Sequence, residues 1–265
     1  MATIITVSNQ KGGVGKTTTS AALTAGISRN GMKVLCIDLD PQGNLGFCMG
    51  LESASATVLD ALKGNVPVRE AIQQTDYCDI LPSDITLSSS GLEQVVTEHR
   101  EYILRDTLAP VIEEYDYVII DTPPALNLLT VNAYAVSDFL IIPMASDILS
   151  LVGLSQLKET IESVRSALNP RLNVMGILLT RFNRRTLLSR DVLEMAQQLA
   201  SQIHTEVFET KIRNGVAIAE APAHGESIFD YNPNSGAVQD YQDFIHEIAD
   251  TIHLKEVTES GEKDE

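Results

Sequence analysis

The chain has 265 residues, of which 44% are apolar, and it carries a formal net charge of −17. This length and composition suffice for one α/β domain with a substantial core, and no linker-like segment divides the chain. The negative charge opposes indiscriminate binding to nucleic acid or anionic lipid, and no apolar run reaches the roughly 18 residues of a membrane-spanning helix. Because a strand begins by residue 3, we expect neither a signal peptide nor an N-terminal DNA-binding domain. The cysteines show no metal-ligand spacing, which favours a reduced cytoplasmic protein.

Strand-like and helix-like segments alternate along the chain, a pattern typical of a mostly parallel sheet with helices on both faces. Several predicted strands are continuously apolar, as expected where both faces of a strand are buried. We predict one domain over residues 1–254 and a disordered acidic tail over residues 255–265. The predicted strands are Thr3–Val7, Val34–Asp38, Asp79–Leu81, Tyr117–Asp121, Phe139–Pro143 and Val174–Thr180. The predicted helices are Thr17–Arg29, Leu92–Glu113, Ile148–Leu168, Leu187–Gln202 and Asp240–His253, with short pieces at Val58–Leu62 and Val68–Gln73 in an irregular stretch, 44–74.

A glycine-rich loop joins the first predicted strand to the first predicted helix. Residues 8–18 read SNQKGGVGKTT, and the three glycines let backbone N–H groups turn toward phosphate oxygens. Lys16 is placed as a cation for the β- and γ-phosphates, the Thr17 hydroxyl is placed as a Mg²⁺ ligand, and the helix adds its positive dipole end. A general P-loop has glycine where this chain has Gln10, and a second lysine, Lys11, lies inside the loop. The predicted nucleotide-binding residues are Lys11, Gly12, Gly13, Val14, Gly15, Lys16, Thr17 and Thr18.

Aspartates follow two other predicted strands. Asp38 and Asp40 stand at the end of the second strand, and Asp121 ends the strand 117–121. Because parallel strands end at one edge of a sheet, we expect these carboxylates to lie beside the glycine-rich loop. An aspartate after an apolar strand is typical of a Walker B motif, which holds Mg²⁺, often through water. Capping of a turn is the alternative role for each aspartate, and their combination with the loop favours the metal-linked role.

These motifs resemble the ParA/Soj family of deviant-Walker ATPases, which segregate plasmids and chromosomes. The resemblance rests on KGGVGKTT at 11–18, DLDPQGN at 38–44 and DTPP at 121–124, with further agreement at 178–186, 219–225 and 230–233. It covers nearly the whole chain except the acidic tail, and it is closest to the short family members without an N-terminal extension. The resemblance implies a P-loop NTPase fold, ATP and Mg²⁺ as cofactors, and hydrolysis of ATP.

The resemblance also implies a mechanism in which ATP drives the formation of a homodimer. Lys16 would neutralise the nucleotide of its own subunit, and Lys11 would reach the phosphates of the partner's nucleotide. Asp40 would position the attacking water. The implied catalytic residues are therefore Lys11, Lys16 and Asp40, and the implied metal residues are Thr17, Asp38 and Asp121. We expect a weak ATPase that a ParB-like centromere-binding protein stimulates.

A cluster of arginines follows the last predicted strand, and no acidic residue interrupts it before Asp191. In a chain with 19 basic and 36 acidic residues, this cluster predicts a surface for non-specific DNA, which a dimer would double. A solvated loop is the alternative. The family often carries another basic residue before its Glu-Ala-Pro, where residues 216–218 here are apolar. The predicted DNA-binding residues are Arg181, Arg184, Arg185, Arg190, Lys211 and Arg213.

Two other functions of related ATPases stay open as alternatives. A MinD-like regulator of division would need a basic amphipathic helix at a terminus, but the C-terminal segment is acidic, so we expect no stable membrane association. Positioning of a protein cargo by the same kind of ATPase is the closer alternative, because nothing in the chain separates it from plasmid or chromosome partition. In either DNA-binding case we expect a cytoplasmic, nucleoid-associated protein.

Overall fold

The computed structural model describes residues 2–87 and 99–254. Its strands are β1 Thr3–Val7, β2 Val34–Asp38, β3 Gln73–Gln74, β4 Asp79–Leu81, β5 Tyr117–Asp121, β6 Phe139–Ala145 and β7 Asn173–Thr180. They form one sheet in the order β3-β4-β2-β5-β1-β6-β7. All neighbouring strands pair in parallel except the edge pair β3 and β4. The predicted single-domain α/β fold with a mostly parallel sheet is therefore confirmed.

Helices cover both faces of the sheet and bury it between two apolar layers. Among the described residues, the α-helices are α1 Lys16–Arg29, α2 Asn44–Cys48, α3 Val58–Leu62, α4 Val68–Ala71, α5 Ile103–Leu108, α6 Leu128–Val136, α7 Ile148–Ala167, α8 Leu187–Gln202, α9 Val216–Glu220, α10 Ile228–Tyr231 and α11 Gly236–Ala249. Helices α1 and α11 supply side chains to one layer, and α5 to α8 supply side chains to the other. Within the described part of the chain, none of these helices has the length and apolar content needed to cross a membrane.

The predicted elements agree with the structure except in the middle of the chain. The predicted helix Leu92–Glu113 is wrong where the structure describes it, because the α-helix there is only Ile103–Leu108 with 3₁₀ turns on either side. Pro110 cannot donate a backbone hydrogen bond and its ring blocks a continuing helix, which explains this early end. The sequence analysis also missed the short helices α2, α9 and α10, the helix α6 and the strand β3. Residues 92–98 of the predicted helix and the predicted tail 255–265 lie outside the described residues.

The order of the strands brings three loops to one edge of the sheet. β1 lies between β5 and β6, and Val7 at its end pairs with Asp121 and Ile141. β2 lies on the other side of β5, where Asp38 pairs in register with Asp121. The segments that follow β1, β2 and β5 therefore leave the sheet side by side, which is where ligands bind in open parallel sheets.

A close contact at Gly176 joins β7 to the C-terminal helix. A β-carbon at position 176 would lie 2.5 Å from the ring of Phe208. That ring packs edge-on against Phe244 of α11, with 4.9 Å between the ring centroids. Glycine is required here because the aromatic ring occupies the space that a side chain would fill.

We predict that Gly176→Ala lowers the free energy of unfolding by about 2 kcal/mol, because the Phe208 ring must move out of its packed position. Denaturant unfolding of the full chain measures this effect. Gly46→Ala is the matched control, since the nearest atom to its new β-carbon is 3.5 Å away, an ordinary contact. Equal losses in the two variants would contradict the packing argument.

Candidate nucleotide-binding site

The glycine-rich loop between β1 and α1 forms an open concavity. Gly13 and Gly15 adopt left-handed backbone angles, with φ of 74° and 90°. A β-carbon at Gly12 or Gly13 would meet no atom within 4 Å, so space is available next to the backbone N–H groups of this turn. A concavity of that kind at the start of a helix suits phosphate oxygens.

Hydrogen bonds to two strands, β6 and β7, hold this loop in place. The Asn9 amide donates to the carbonyl of Pro143 at 2.7 Å, and its oxygen accepts the backbone N–H of Lys11 at 3.0 Å. Thr180, at the end of β7, donates from its hydroxyl to the carbonyl of Val14 at 2.8 Å. The loop is therefore braced by β6 and β7 before any ligand binds, so little ordering is required on binding. The sequence analysis missed both bracing side chains.

Asp121 at the end of β5 joins the start of α1. The Thr17 hydroxyl donates to its Oδ2 at 2.7 Å, and the Ser20 hydroxyl donates to its Oδ1 at 3.1 Å. The predicted closeness of Thr17 and Asp121 is thus present in the structure. Ser20 was not predicted, although its place four residues after Lys16 puts it on the same side of the helix. A hydroxyl and a carboxylate at this spacing are the oxygen donors that Mg²⁺ prefers.

Burial makes the electrostatics of these groups unusual. Asp121 is fully buried, and burial raises its pKa to about 6, although the hydroxyl of Thr17 and the charge of Lys16 oppose this shift. Burial likewise lowers the pKa of Lys16, while Asp121 and Asp40 oppose that change. A cation and a carboxylate that both lack water interact strongly with any further charge nearby. The residues present therefore fit a phosphate group with a divalent cation.

Asp38 organises the loop that follows β2. Its Oδ1 accepts the backbone N–H of Asp40 at 2.9 Å, and its Oδ2 accepts that of Leu45 at 3.0 Å. Burial and the charge of Asp121 raise the pKa of Asp38 well above its usual range. Since both oxygens already bind backbone amides, Asp38 fixes the path of the loop. Asp40 is only partly buried; its Oδ1 accepts the backbone N–H of Gln42 at 3.0 Å, and its charge acts on Lys16.

Lys11 points away from its own loop and toward the start of α7. Its ammonium group lies 2.5 Å from Asp147 Oδ1 and 3.2 Å from the hydroxyl of Ser150. Asp147 also caps α7 by accepting the N–H of Ser150 at 3.0 Å. Burial raises the pKa of Asp147, but the hydrogen bonds from Lys11 and Ser150 outweigh it and lower the pKa. The sequence analysis missed Asp147, which lies 136 residues after Lys11 in the sequence.

A cavity of about 230 Å³ opens beside the loop. Its lining includes Gly15, Thr18, Thr180 and the segment 213–215. Its size and its position next to the concavity suit the nucleoside part of a nucleotide whose phosphates occupy the loop. The sequence analysis did not place the segment 213–215 beside the loop, because the two are far apart along the chain.

The residues of the predicted DNA-binding set lie in two different surroundings. Arg213 lines the cavity, and its guanidinium group donates to both oxygens of Asp240 at 2.7 and 2.6 Å. Lys211 donates to the carbonyl of Glu209 at 2.8 Å, and Arg181 also lines the cavity. Arg184, Arg185 and Arg190 are exposed at the start of α8, and these three residues are called the arginine surface below.

Comparisons with known proteins agree with this geometry. Residues 2–174 match a family model described as an AAA domain. The chain is 40% identical over 253 residues to the sporulation initiation inhibitor protein Soj of Bacillus subtilis, covering 94% of this chain and 99% of that protein. It is 39% identical over 242 residues to the chromosome partitioning protein ParA of Myxococcus xanthus, covering 90% of this chain and 84% of that protein. The structure of cobyrinic acid a,c-diamide synthase from Mycobacterium smegmatis with bound ADP and magnesium superposes with a TM-score of 0.80 at 32% identity, covering 99% of this chain and 98% of that one.

We predict that Asp121→Asn stabilises the nucleotide-free chain relative to wild type as pH rises from about 4 to about 7. The pKa of Asp121 is raised from 3.8 to about 6 on folding, so the folded state binds this proton more tightly. The stability that this proton contributes is present below about pH 4 and is lost as pH rises through about 6, by up to about 3 kcal/mol. Denaturant unfolding in EDTA measures the difference at each pH. The exposed Asp191→Asn is the control, and a pH-independent difference for Asp121→Asn would contradict the prediction.

Proposed function

This chain belongs to the ParA/Soj family of ATPases, and from that premise we propose that it is a partition ATPase that dimerises with ATP and binds DNA without sequence specificity. The observation that carries this proposal is the second lysine of the loop, Lys11, which is bound to Asp147 and not to its own loop. A cation in this position is available for an anion outside its own subunit. The relative at 39% identity is named for chromosome partitioning, which favours partition over cargo positioning as the proposed role.

ATP and Mg²⁺ are the proposed ligands of the site. The loop would bind the phosphates through its backbone N–H groups, Lys16 and the start of α1, and the cavity beside Gly15 would hold the nucleoside. Thr17 would hold Mg²⁺ directly and Asp121 through water, which breaks the hydrogen bond that now joins them. Bound Mg²⁺ supplies positive charge that stabilises the transferred phosphoryl group. A cation bound nearby would also favour the ionised form of the Asp121 carboxylate.

Dimer formation would follow from the exchange of lysines between two subunits. Two bound nucleotides that face each other repel, and a Lys11 from each subunit placed at the other's phosphates offsets this repulsion. To do so, Lys11 must leave Asp147 and Ser150. The exposed ion pair that it leaves is weak, since pairs that contact water contribute about 0–1 kcal/mol. The exchange therefore costs little compared with the charge that it neutralises.

Hydrolysis would depend on the loop after β2. Asp40 is partly buried and acts electrostatically on Lys16, and we propose that it positions the attacking water, while Asp38 holds the backbone of Asp40 through its amide. Positioning alone gives slow hydrolysis, and a group supplied by another protein commonly increases the rate by 10³ or more. A ParB-like protein is the proposed source of that group. The arginine surface of the dimer would attach it to the nucleoid until hydrolysis separates the subunits.

We predict that substitutions of Lys16 and Lys11 have different effects on nucleotide binding and on dimer formation. Lys16→Ala should abolish binding of a fluorescent ATP analogue to the monomer, because the buried cation of its own loop is lost. Lys11→Ala should retain binding within about threefold but lose the ATP-dependent dimer in sedimentation velocity, because its ammonium acts on the other subunit. Asp40→Ala is the control that should keep both binding and the dimer. A normal dimer from Lys11→Ala would contradict the proposed exchange.

The experiment that tests the proposed function is binding of random-sequence duplex DNA with ATP, with ADP and without nucleotide, over a salt series. We expect binding only with ATP, and a steep loss with salt because several phosphate contacts release counterions. Arg184→Ala/Arg185→Ala should weaken binding strongly, whereas Arg171→Ala, which changes an arginine outside the arginine surface, should not. A chain that dimerises with ATP and binds no DNA would overturn the DNA-binding part of the proposal.

A further inference from the structure

The segment 183–190, named the arginine–leucine tip from here on, exposes basic and apolar side chains side by side. Leu187 is 74% exposed and Leu188 is 47% exposed, although leucine is among the residues most often buried. Both lie in the first turn of α8, and that turn contains no acidic residue. The exposed basic residues of the tip are Arg184, Arg185 and Arg190.

Polar groups inside the tip hold this surface in a defined shape. The side chain of Asn183 accepts the backbone N–H of Arg185 at 3.0 Å, and its carbonyl accepts the N–H of Thr186 at 3.1 Å. The Thr186 hydroxyl caps α8 by accepting the N–H of Ser189 at 3.3 Å. With these turns formed, the outward side chains are presented on a fixed backbone. Binding through them therefore costs little ordering of the chain.

Among the residues that the structure describes, the arginines of the tip lack the ion pairs that neutralise several other arginines of the chain. Such pairs join Arg29 to Asp230, Arg69 to Glu114, Arg105 to Asp106 and Arg213 to Asp240. Within the described part of the chain, Arg184, Arg185 and Arg190 have no carboxylate partner at salt-bridge distance. Their positive charge therefore remains available to an anionic partner, directly beside the exposed leucines.

We propose that the arginine–leucine tip enters a groove of duplex DNA, where Leu187 and Leu188 contact sugars and base edges while the arginines hold phosphates on both sides. This inference rests on the proposed function and adds to it an apolar contribution that salt does not screen. Apolar side chains flanked by cations are a recurrent means of contact with a DNA groove, and leucine is among the residues used.

An anionic bilayer is the other surface that combines phosphate with an apolar interior, and the structure favours the DNA groove. Two leucines bury less apolar surface than one myristoyl chain, which by itself gives only marginal membrane binding. A flat anionic surface also brings the acidic body of the chain, with its net charge of −17, toward the headgroups. A groove can admit the tip without bringing the whole acidic body of the chain against the phosphates, whose field is screened over about 8 Å.

The test compares variants of the full chain for binding to a random-sequence duplex over a salt series, with a non-hydrolysable ATP analogue. Leu187→Gln/Leu188→Gln should weaken binding about tenfold at every salt concentration and leave the slope of log K against log salt unchanged. Arg184→Gln/Arg185→Gln should instead reduce that slope by about 0.9 for each phosphate that the variant no longer binds. Met195→Gln changes another exposed apolar residue of α8, outside the tip, and should bind as wild type does. Affinities are compared at equal dimer fractions, measured by sedimentation velocity.

The outcomes separate this inference from the proposed function. If the arginine variant loses binding and the leucine variant binds as wild type does, the apolar contact is overturned and the proposed function stands. If wild type binds no DNA with the ATP analogue, both are overturned. If the leucine variant keeps DNA binding but loses binding to phosphatidylglycerol vesicles that wild type shows, the tip is a membrane contact and the inference is overturned.

Discussion

The buried carboxylate pair of Asp38 and Asp121 is the constraint on which the rest of the site depends. The two residues pair in register on neighbouring strands and are both fully buried, so their charges repel and lack water. Hydrogen bonds offset the unfavourable burial of these carboxylates. Hydroxyls of α1 donate to Asp121, and backbone amides donate to Asp38. Lys16, also buried, contributes the nearby positive charge. The site therefore offers buried carboxylates for a metal cation and a buried lysine for an anionic phosphate before any ligand binds.

This constraint also accounts for the order of the strands. The loop after β1 must lie between the carboxylate of β5 and the brace from β7, and placing β1 between β5 and β6 achieves this. The helix that follows the loop then packs against α11 through Thr19, whose hydroxyl lies 3.1 Å from that of Tyr241. Fold and site are thus linked, because the same short helix turn both packs the core and presents Lys16 and Thr17.

Local patterns in the sequence predicted the sheet, the glycine-rich loop and the carboxylates, because each lies within a short run of residues with a physical signature. Contacts between distant segments were not predicted. Lys11 meets Asp147 and Arg213 meets Asp240 only through the fold, because the partners are far apart along the chain. The predicted helix 92–113 continues past Pro110, whereas the observed α5 ends at Leu108, because proline cannot extend a helix. The helix α6 has only nine residues, too few for its amphipathic pattern to be recognised in the sequence.

The strand β7 connects the loop to the arginine–leucine tip. Thr180 ends β7 and holds the carbonyl of Val14, while Arg181 directly follows it in a left-handed conformation with φ of 51°. The buried Phe182 then fixes the departure of the tip through its N–H, which bonds to the carbonyl of Ile212 at 2.9 Å. Ile212 in turn adjoins the segment 213–215 that lines the cavity. The loop, the cavity and the tip are therefore all attached to the end of one strand, β7.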